Sequence, residues 1–149
     1  MREAGRVVVV SNRVPRLSTA TIEGAERAQA VGGLVSAVRA ALERRGGLWF
    51  GWSGATSDRE GLVTPVLSRI GSIRMVTIDL SRDEANLYYS IFANRTLWPL
   101  LHNFPQRVVI RHDAYRAYRR VNRRFAEALY PVLEEGDQVW VQDYHLIPL

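Results

Sequence analysis

An α/β fold built on a doubly wound, mainly parallel sheet is predicted by three features of the sequence. Strand-like runs alternate with helical patterns in the order β, α, β, β, β, α, α, β. The first run, Arg6 to Asn12, and the last, Gln138 to Asp143, are continuously apolar at their centres, as strands buried on both faces of a parallel sheet are. Both runs end in polar residues, at the carboxyl ends where ligands of such sheets bind.

Each element has a local reason. RVVVVSN (Arg6 to Asn12) is β-branched and ends in a polar loop that contains Pro15 and Gly24. The stretch from Pro15 to Ala30 has no interpretable feature. GGLVSAVRAALERR opens on Gly32 and Gly33, and Leu34, Val35, Val38, Ala41 and Leu42 recur at helical spacing. Arg44 and Arg45 occupy its last turn, where the helix dipole favours cations, and Gly46 and Gly47 end it. LWFGWSG (Leu48 to Gly54) reads as a strand running into a glycine turn. GLVTPVL (Gly61 to Leu67) reads as a weaker strand, because Pro65 suits an edge or an end. IRMVTIDL (Ile73 to Leu80) alternates as a strand does.

Ser81 and Glu84 form a capping-box pair that predicts a helix from Arg82 to about Phe92, with a second short helix carrying Leu97 to His102. The longest helical pattern runs from Asp113 to Leu133, with its apolar stripe through Tyr115, Tyr118, Phe125, Leu129 and Val132. Gly136-Asp137 turns the chain into QVWVQD, expected to be another buried strand.

Composition narrows the function classes. The 149 residues fit one domain or a piece of a larger one, and the 47% hydrophobic share is ordinary for a globular chain. There is no cysteine, which excludes disulfides and cysteine-based metal sites and suits a reducing, cytoplasmic setting. No signal peptide is visible, and no apolar run approaches the ~20 residues of a membrane helix. The net charge is +5, and every basic residue is arginine. The run RAYRRVNRRF (Arg116 to Phe125) invites a nucleic-acid reading, yet its aromatics lie on the buried stripe, so a solvated helix face is the better account.

Four stretches carry candidate chemistry. Arg13 of SNR follows a buried strand and is either a phosphate ligand, through its planar fork, or a surface loop residue. Gly32 and Gly33 open a helix and are either an anion site or a turn; neither the dinucleotide fingerprint nor a Walker A motif is present. Asp143 follows VWVQ and is either an acceptor for sugar hydroxyls or a helix N-cap. His145 beside it is read as a packing residue. Tyr89 and Trp98 either stack on a sugar ring or belong to the core, and Asn94 and His102 could line the same pocket.

The segments VVVVSNRVP, GGL, GLWFGWSG, YYSIFANRTLWPLLH, YRRVNRRFAEAL and VWVQDYHLIPL occur in one order. In this the chain resembles, from Arg6 to Leu149, the N-terminal part of the trehalose-6-phosphate synthase family, retaining glycosyltransferases of the GT-B type with two Rossmann-like domains facing across a cleft. The resemblance implies transfer of glucose from UDP-glucose to glucose 6-phosphate. Arg13 matches the family's contact to the acceptor phosphate, and Tyr89 matches a tyrosine that binds the same acceptor. Asp143 matches the aspartate that holds acceptor hydroxyls and is the one residue given a catalytic role. Gly32 and Gly33 match a pair whose backbone meets the donor near its diphosphate. Trp98 matches a tryptophan that shapes the acceptor pocket and helps select the anomer, with Trp52 nearby.

The resemblance further implies front-face attack with retention, and no cofactor or essential metal beyond the co-substrate UDP-glucose; no D-x-D motif is present. Residues 1–149 would then be a partial, acceptor-side domain without the family's C-terminal donor-binding domain and without an acceptor-side histidine and arginine expected beyond Leu149. Negligible turnover is expected of such a chain alone. A non-catalytic sugar-phosphate-binding or regulatory piece docking to a full synthase is the alternative. No nucleic-acid or membrane partner is expected, and homo-oligomerisation is left open.

Overall fold

The computed structural model describes residues 5–15, 33–58 and 65–149. Gly32, the stretch from 16 to 30 and the start of the predicted Gly61–Leu67 strand lie outside the described residues. Five strands form one sheet: β1 (Val7–Arg13), β2 (Gly47–Ser57), β3 (Val66–Ile70), β4 (Ile73–Ser81) and β5 (Gln138–Val141), in the order β3-β4-β2-β1-β5. β1 pairs parallel with β2 and β5, and β2 pairs parallel with β4; only β3 is antiparallel. The carboxyl ends of β1, β2, β4 and β5 therefore share one edge.

The continuous apolar run of β1 is explained by helices on both faces. Alternate residues of β1 divide between two cores. Val8 and Val10 join Phe50, Ile78, Tyr118 and Phe125 on one face. Val9 joins Trp49, Ile73 and Met75 on the other, under Val38 and Leu42 of α1 (Gly33–Arg45). Gly46, at φ 68°, takes the left-handed conformation that ends α1.

The first face is covered by two long helices. One starts as α2 (Arg82–Glu84), continues as a π-helix (Ala85–Leu97) and finishes as α3 (Trp98–Leu101). The Ser81–Glu84 capping box is formed in both directions. The expected break near Phe92 is absent, because Pro99 falls where its missing N–H does no harm: the Arg95 carbonyl accepts from Val109 N–H instead, at 2.8 Å. The other helix, α4 (His112–Leu129), passes into a 3₁₀ turn, Tyr130–Val132, so the predicted helix ends a turn early. β2 runs on to Ser57, through an irregularity between Trp52 and Thr56 rather than ending at the glycine.

β5 corrects the expectation of a buried strand. It is the sheet's edge, and Val139, Trp140 and Val141 are 43%, 52% and 39% exposed. Its near end is anchored by charge. Arg6 Nε and Nη2 donate to the two Asp137 carboxylate oxygens at 3.0 and 2.6 Å, and Nη1 reaches Glu134 at 2.9 Å. Bonding to Arg6 holds the Asp137 carboxyl below its ordinary value of 3.8. This stabilisation is present above that value and is lost on acidification through the lower folded one.

Arg6→Met leaves Asp137, whose side chain is 4% exposed, without its cation. Urea unfolding at neutral pH is expected to show a loss of about 3 kcal/mol. A loss under ~1 kcal/mol would mean that the pair behaves as a solvated surface bridge.

Candidate functional site

The chain leaves β1 for β2 on one side and finally places β5 on the other. The strand order thus reverses at β1, and the carboxyl ends of β1 and β5 flank that reversal, the position outside which open α/β sheets bind ligands. Arg13 ends β1, Asp143 follows β5, and Tyr89 comes from the helix that leaves β4.

These residues meet through a line of ring contacts. The Arg13 guanidinium carbon lies 5.9 Å from the centre of the Trp52 ring. Trp52 meets Tyr89 edge-on at 6.1 Å, and Tyr89 stacks on His145 at 5.4 Å with the planes 21° apart. His145 Nδ1 reaches Asp143 Oδ2 at 3.0 Å. Arg13, Trp52, Tyr89 and Asp143 thus stand along one line, with His145 as the joint between the last two.

Two further residues set Arg13. A bulge between Ser11 and Arg13 re-aims the strand end. Gly54, at φ 86°, leaves the space that the guanidinium fills, since a Cβ there would stand 2.5 Å from Arg13 Nε. Among the described residues no carboxylate lies within ion-pair distance of Arg13, so its fork remains available to an anion.

Asp143 is held in a costly backbone conformation, φ 75° and ψ 159°, a region that non-glycine residues rarely enter, at roughly 1–3 kcal/mol. The surroundings enforce it. Gln142 N–H donates to Val10 at 2.8 Å, continuing the ladder to the edge of the site. Tyr144 N–H donates to Asp143 Oδ1 at 2.7 Å, which is the N-cap role the sequence offered as an alternative. The following turn, Tyr144–Leu146, is held from α4: the Tyr118 hydroxyl donates to the Tyr144 carbonyl at 2.7 Å, and Asn122 Nδ2 donates to the His145 carbonyl at 3.1 Å.

The electrostatics follow from burial. Desolvation pushes the Tyr118 hydroxyl up to about 12 and Tyr88 higher still, so both remain protonated donors. Tyr88 gives its proton to Asn12 Oδ1 at 2.8 Å, which ties the π-helix to the end of β1. Desolvation lowers His145, against the opposing pull of Asp143, and its imidazole is neutral at pH 7. An ionised carboxylate only accepts, so the single ring proton belongs on Nδ1. Nε2 is then a bare acceptor, buried and without a partner.

Trp98 stands apart from this line. It stacks on His102 at 4.3 Å and on Phe104 at 6.1 Å, with no ring contact to Tyr89 or Trp52. His102 is thereby taken up, its Nδ1 at 2.7 Å from the Trp98 carbonyl, while Asn94 Oδ1 accepts from the Tyr144 hydroxyl at 3.3 Å. Gly33 is the first residue of α1. Asn12 and Gly54 lie in the polar strand ends that the sequence marks as ligand positions, but the particular part each plays is not legible there. Asn122 was missed, although it lies one helical turn after Tyr118, on the face that α4 buries. Among the described residues there is no group of acidic, histidine or cysteine side chains that could hold a metal, and no helix is long and apolar enough to cross a membrane.

The sequence matches the family described as glycosyltransferase family 20 over residues 5–149. It is 38% identical over 144 residues to a trehalose-6-phosphate synthase of Enterobacter sp. (strain 638), covering 97% of this chain and 28% of that protein. The fold superposes on the crystal structure of an alpha,alpha-trehalose-phosphate synthase (UDP-forming) from Burkholderia vietnamiensis with a TM-score of 0.85, at 35% identity, covering 99% of this chain and 30% of that one. A Burkholderia xenovorans enzyme of the same description, in complex with glucose-6-phosphate, gives a TM-score of 0.81 at 37% identity, covering 97% and 29%. The chain thus spans under a third of the length of these relatives.

The lowered His145 value has a thermodynamic consequence. Between that value and 6.5 the unfolded chain binds more protons than the folded one, so stability falls as pH drops through this window. Urea midpoints measured from about pH 7 to about pH 5 are expected to decline, and His145→Phe to flatten the decline. Equal slopes in the two proteins would show that His145 charges freely in the folded state.

Proposed function

The chain belongs to glycosyltransferase family 20, and from that premise we propose that its residues form the acceptor side of a retaining synthase that moves glucose from UDP-glucose to glucose 6-phosphate, giving trehalose 6-phosphate and UDP. The observation that carries this reading is the line from Arg13 to Asp143 across the strand-order reversal, with a cation at one end, a carboxylate at the other and aromatic walls between. Glucose 6-phosphate has the matching polarity. Its phosphate suits the Arg13 fork, its ring the half-buried Tyr89 with Trp52 buried behind, and its hydroxyls the acceptor-only Asp143. The glucose-6-phosphate complex of a relative and the UDP-forming description of another support the choice of substrates.

Each carboxylate oxygen of Asp143 already accepts one hydrogen bond, from Tyr144 N–H and from His145. Each retains a lone pair, so the group can hold sugar hydroxyls while fixed in place. In the transfer, the bond from the donor's anomeric carbon to the diphosphate breaks on the face where the bond to the acceptor oxygen forms. The acceptor hydroxyl's proton passes to a phosphate oxygen of the leaving UDP. The work of this chain's residues is orientation: holding the acceptor oxygen against the donor carbon converts a bimolecular encounter into a positioned one. Gly33 at the start of α1, with Gly32, is assigned to the donor diphosphate, since helix N-termini offer free N–H groups. Trp98 is assigned to the pocket rim and anomer selection. Donor-binding groups are assigned to a second domain outside residues 1–149, and the setting to the cytoplasm.

Calorimetric titration of the chain with glucose 6-phosphate tests the reading. Arg13→Ala is expected to weaken binding at least tenfold, the loss of a charge-assisted pair, and Tyr89→Phe by a smaller factor. Unchanged affinity in both variants would place the site elsewhere. In a UDP-release assay the chain alone is expected to give negligible glucose-6-phosphate-dependent turnover; substantial release would show that it carries a complete active site.

A further inference from the structure

We propose that His145 is a positioning residue for acceptor recognition, setting the carboxylate of Asp143 and the ring of Tyr89 as one rigid unit. The proposal rests on the acceptor-site reading above, and it gives a role to a side chain that reads as packing in the sequence.

Packing alone does not account for what His145 does. Its ring stacks on Tyr89, at 5.4 Å, and on Tyr144, at 4.3 Å, and is 6% exposed. A phenyl ring would fill the same slot without burying an unpartnered Nε2. The imidazole adds one thing that a phenyl ring lacks, the Nδ1–H that holds Asp143 Oδ2 at 3.0 Å. That bond matters because the Asp143 side chain is otherwise exposed to solvent, with 43% of its surface accessible and only its neighbour's N–H to fix it. A carboxylate held on both oxygens presents its remaining lone pairs in a fixed plane, whereas one held on a single oxygen rotates.

The imidazole is itself held. Asn122 bonds its backbone carbonyl, and Tyr118 bonds that of Tyr144, so α4 fixes the ring's height above the sheet. The ring also fixes Tyr89, and Tyr89 continues through Trp52 to Arg13. His145 thus sets the distance between the hydroxyl-binding and phosphate-binding ends of the site.

Two substitutions separate the ring from its proton. His145→Phe keeps a stacking ring and removes the donor; His145→Asn keeps a side-chain N–H near the Nδ1 position and removes the ring. By titration with glucose 6-phosphate, His145→Phe is expected to bind about tenfold more weakly than the parent chain, and His145→Asn to bind more tightly than His145→Phe but short of the parent, by the lost stack on Tyr89. Long-range proton–nitrogen spectra are expected to show His145 protonated on Nδ1, with the tautomer preference lost in Asp143→Ala.

If Asp143→Ala and Arg13→Ala weaken binding while a folded His145→Phe does not, the positioning role is overturned and the acceptor site stands. If the parent chain shows no binding to glucose 6-phosphate, the acceptor reading fails, and the tautomer decides the rest. Nε2 protonation would overturn the His145–Asp143 link, and Nδ1 protonation that depends on Asp143 would sustain it. Should His145→Phe fail to fold, His145→Asn and the spectra carry the same decision.

Discussion

Two hydrogen bonds donated by α4 decide where the candidate site stands. β5 is a short, exposed edge strand and cannot by itself fix the residues that follow it. The turn after it is fixed from below, by the Tyr118 hydroxyl and the Asn122 amide bonding the carbonyls of Tyr144 and His145. Both donors depend on α4 being seated. Phe125 packs edge-on against Phe50 at 5.8 Å in the sheet face, and Arg124 pairs with Glu84, the same carboxylate that caps α2. The core face, the helix cap and the strained turn at Asp143 are therefore mechanically one object. A core truncation at Phe125 and a loss of the cap at Ser81 would both be felt at the carboxylate, through α4.

The π-helix does a related job on the other side of the site. Its i→i+5 bonding, seen where Trp98 N–H meets the Ala93 carbonyl, is rare over so long a run and has to be offset by packing. Tyr88, Ile91, Ala93 and Thr96 supply that packing. The helix also ties both ends of the site: Tyr88 bonds Asn12 near the end of β1, and Asn94 bonds Tyr144 after β5. The wider winding changes which residues share a side. Tyr89 and Trp98 are nine residues apart; at about 3.6 residues per turn they would be opposed. At about 4.4 per turn they are two turns apart on one side. Trp98 is nonetheless held by His102 and Phe104, beyond ring contact with Tyr89.

What the sequence made legible follows the range of the forces involved. Capping at Ser81, the glycine exit from α1 and the two-faced burial of β1 are local patterns, and all are present. Arg13 and Asp143 were readable as candidates because a parallel sheet gathers strand ends at one edge, whereas Tyr89, inside the π-helix, was singled out by its aromatic stretch and the family resemblance. The exposure of β5 was not readable, since a run as apolar as Val139 to Val141 looks the same whether or not a neighbour covers it. Nor was the unbroken helix through Pro99, whose tolerance rests on a donor at Val109 ten residues away. The His145–Asp143 bond was hidden for a similar reason. It joins residues two apart, at a turn where Asp143 adopts a positive φ that the sequence does not signal.

Charge gives the site a direction. Several arginines are already committed: Arg6 to Asp137 and Glu134, Arg124 to Glu84, Arg111 to Asp113. Arg13 instead rests over the face of Trp52, which favours a cation without neutralising it. Asp143, at the far end, keeps lone pairs but no arginine among the described residues. An anionic group is thus attracted to one end of the site and repelled from the other. For a sugar phosphate this excludes the reversed orientation, because a phosphate beside Asp143 would meet like charge and leave Arg13 unanswered. Under the proposed reading, recognition of the acceptor would rest on one feature, the placement of a guanidinium and a carboxylate along the carboxyl edge of a parallel sheet.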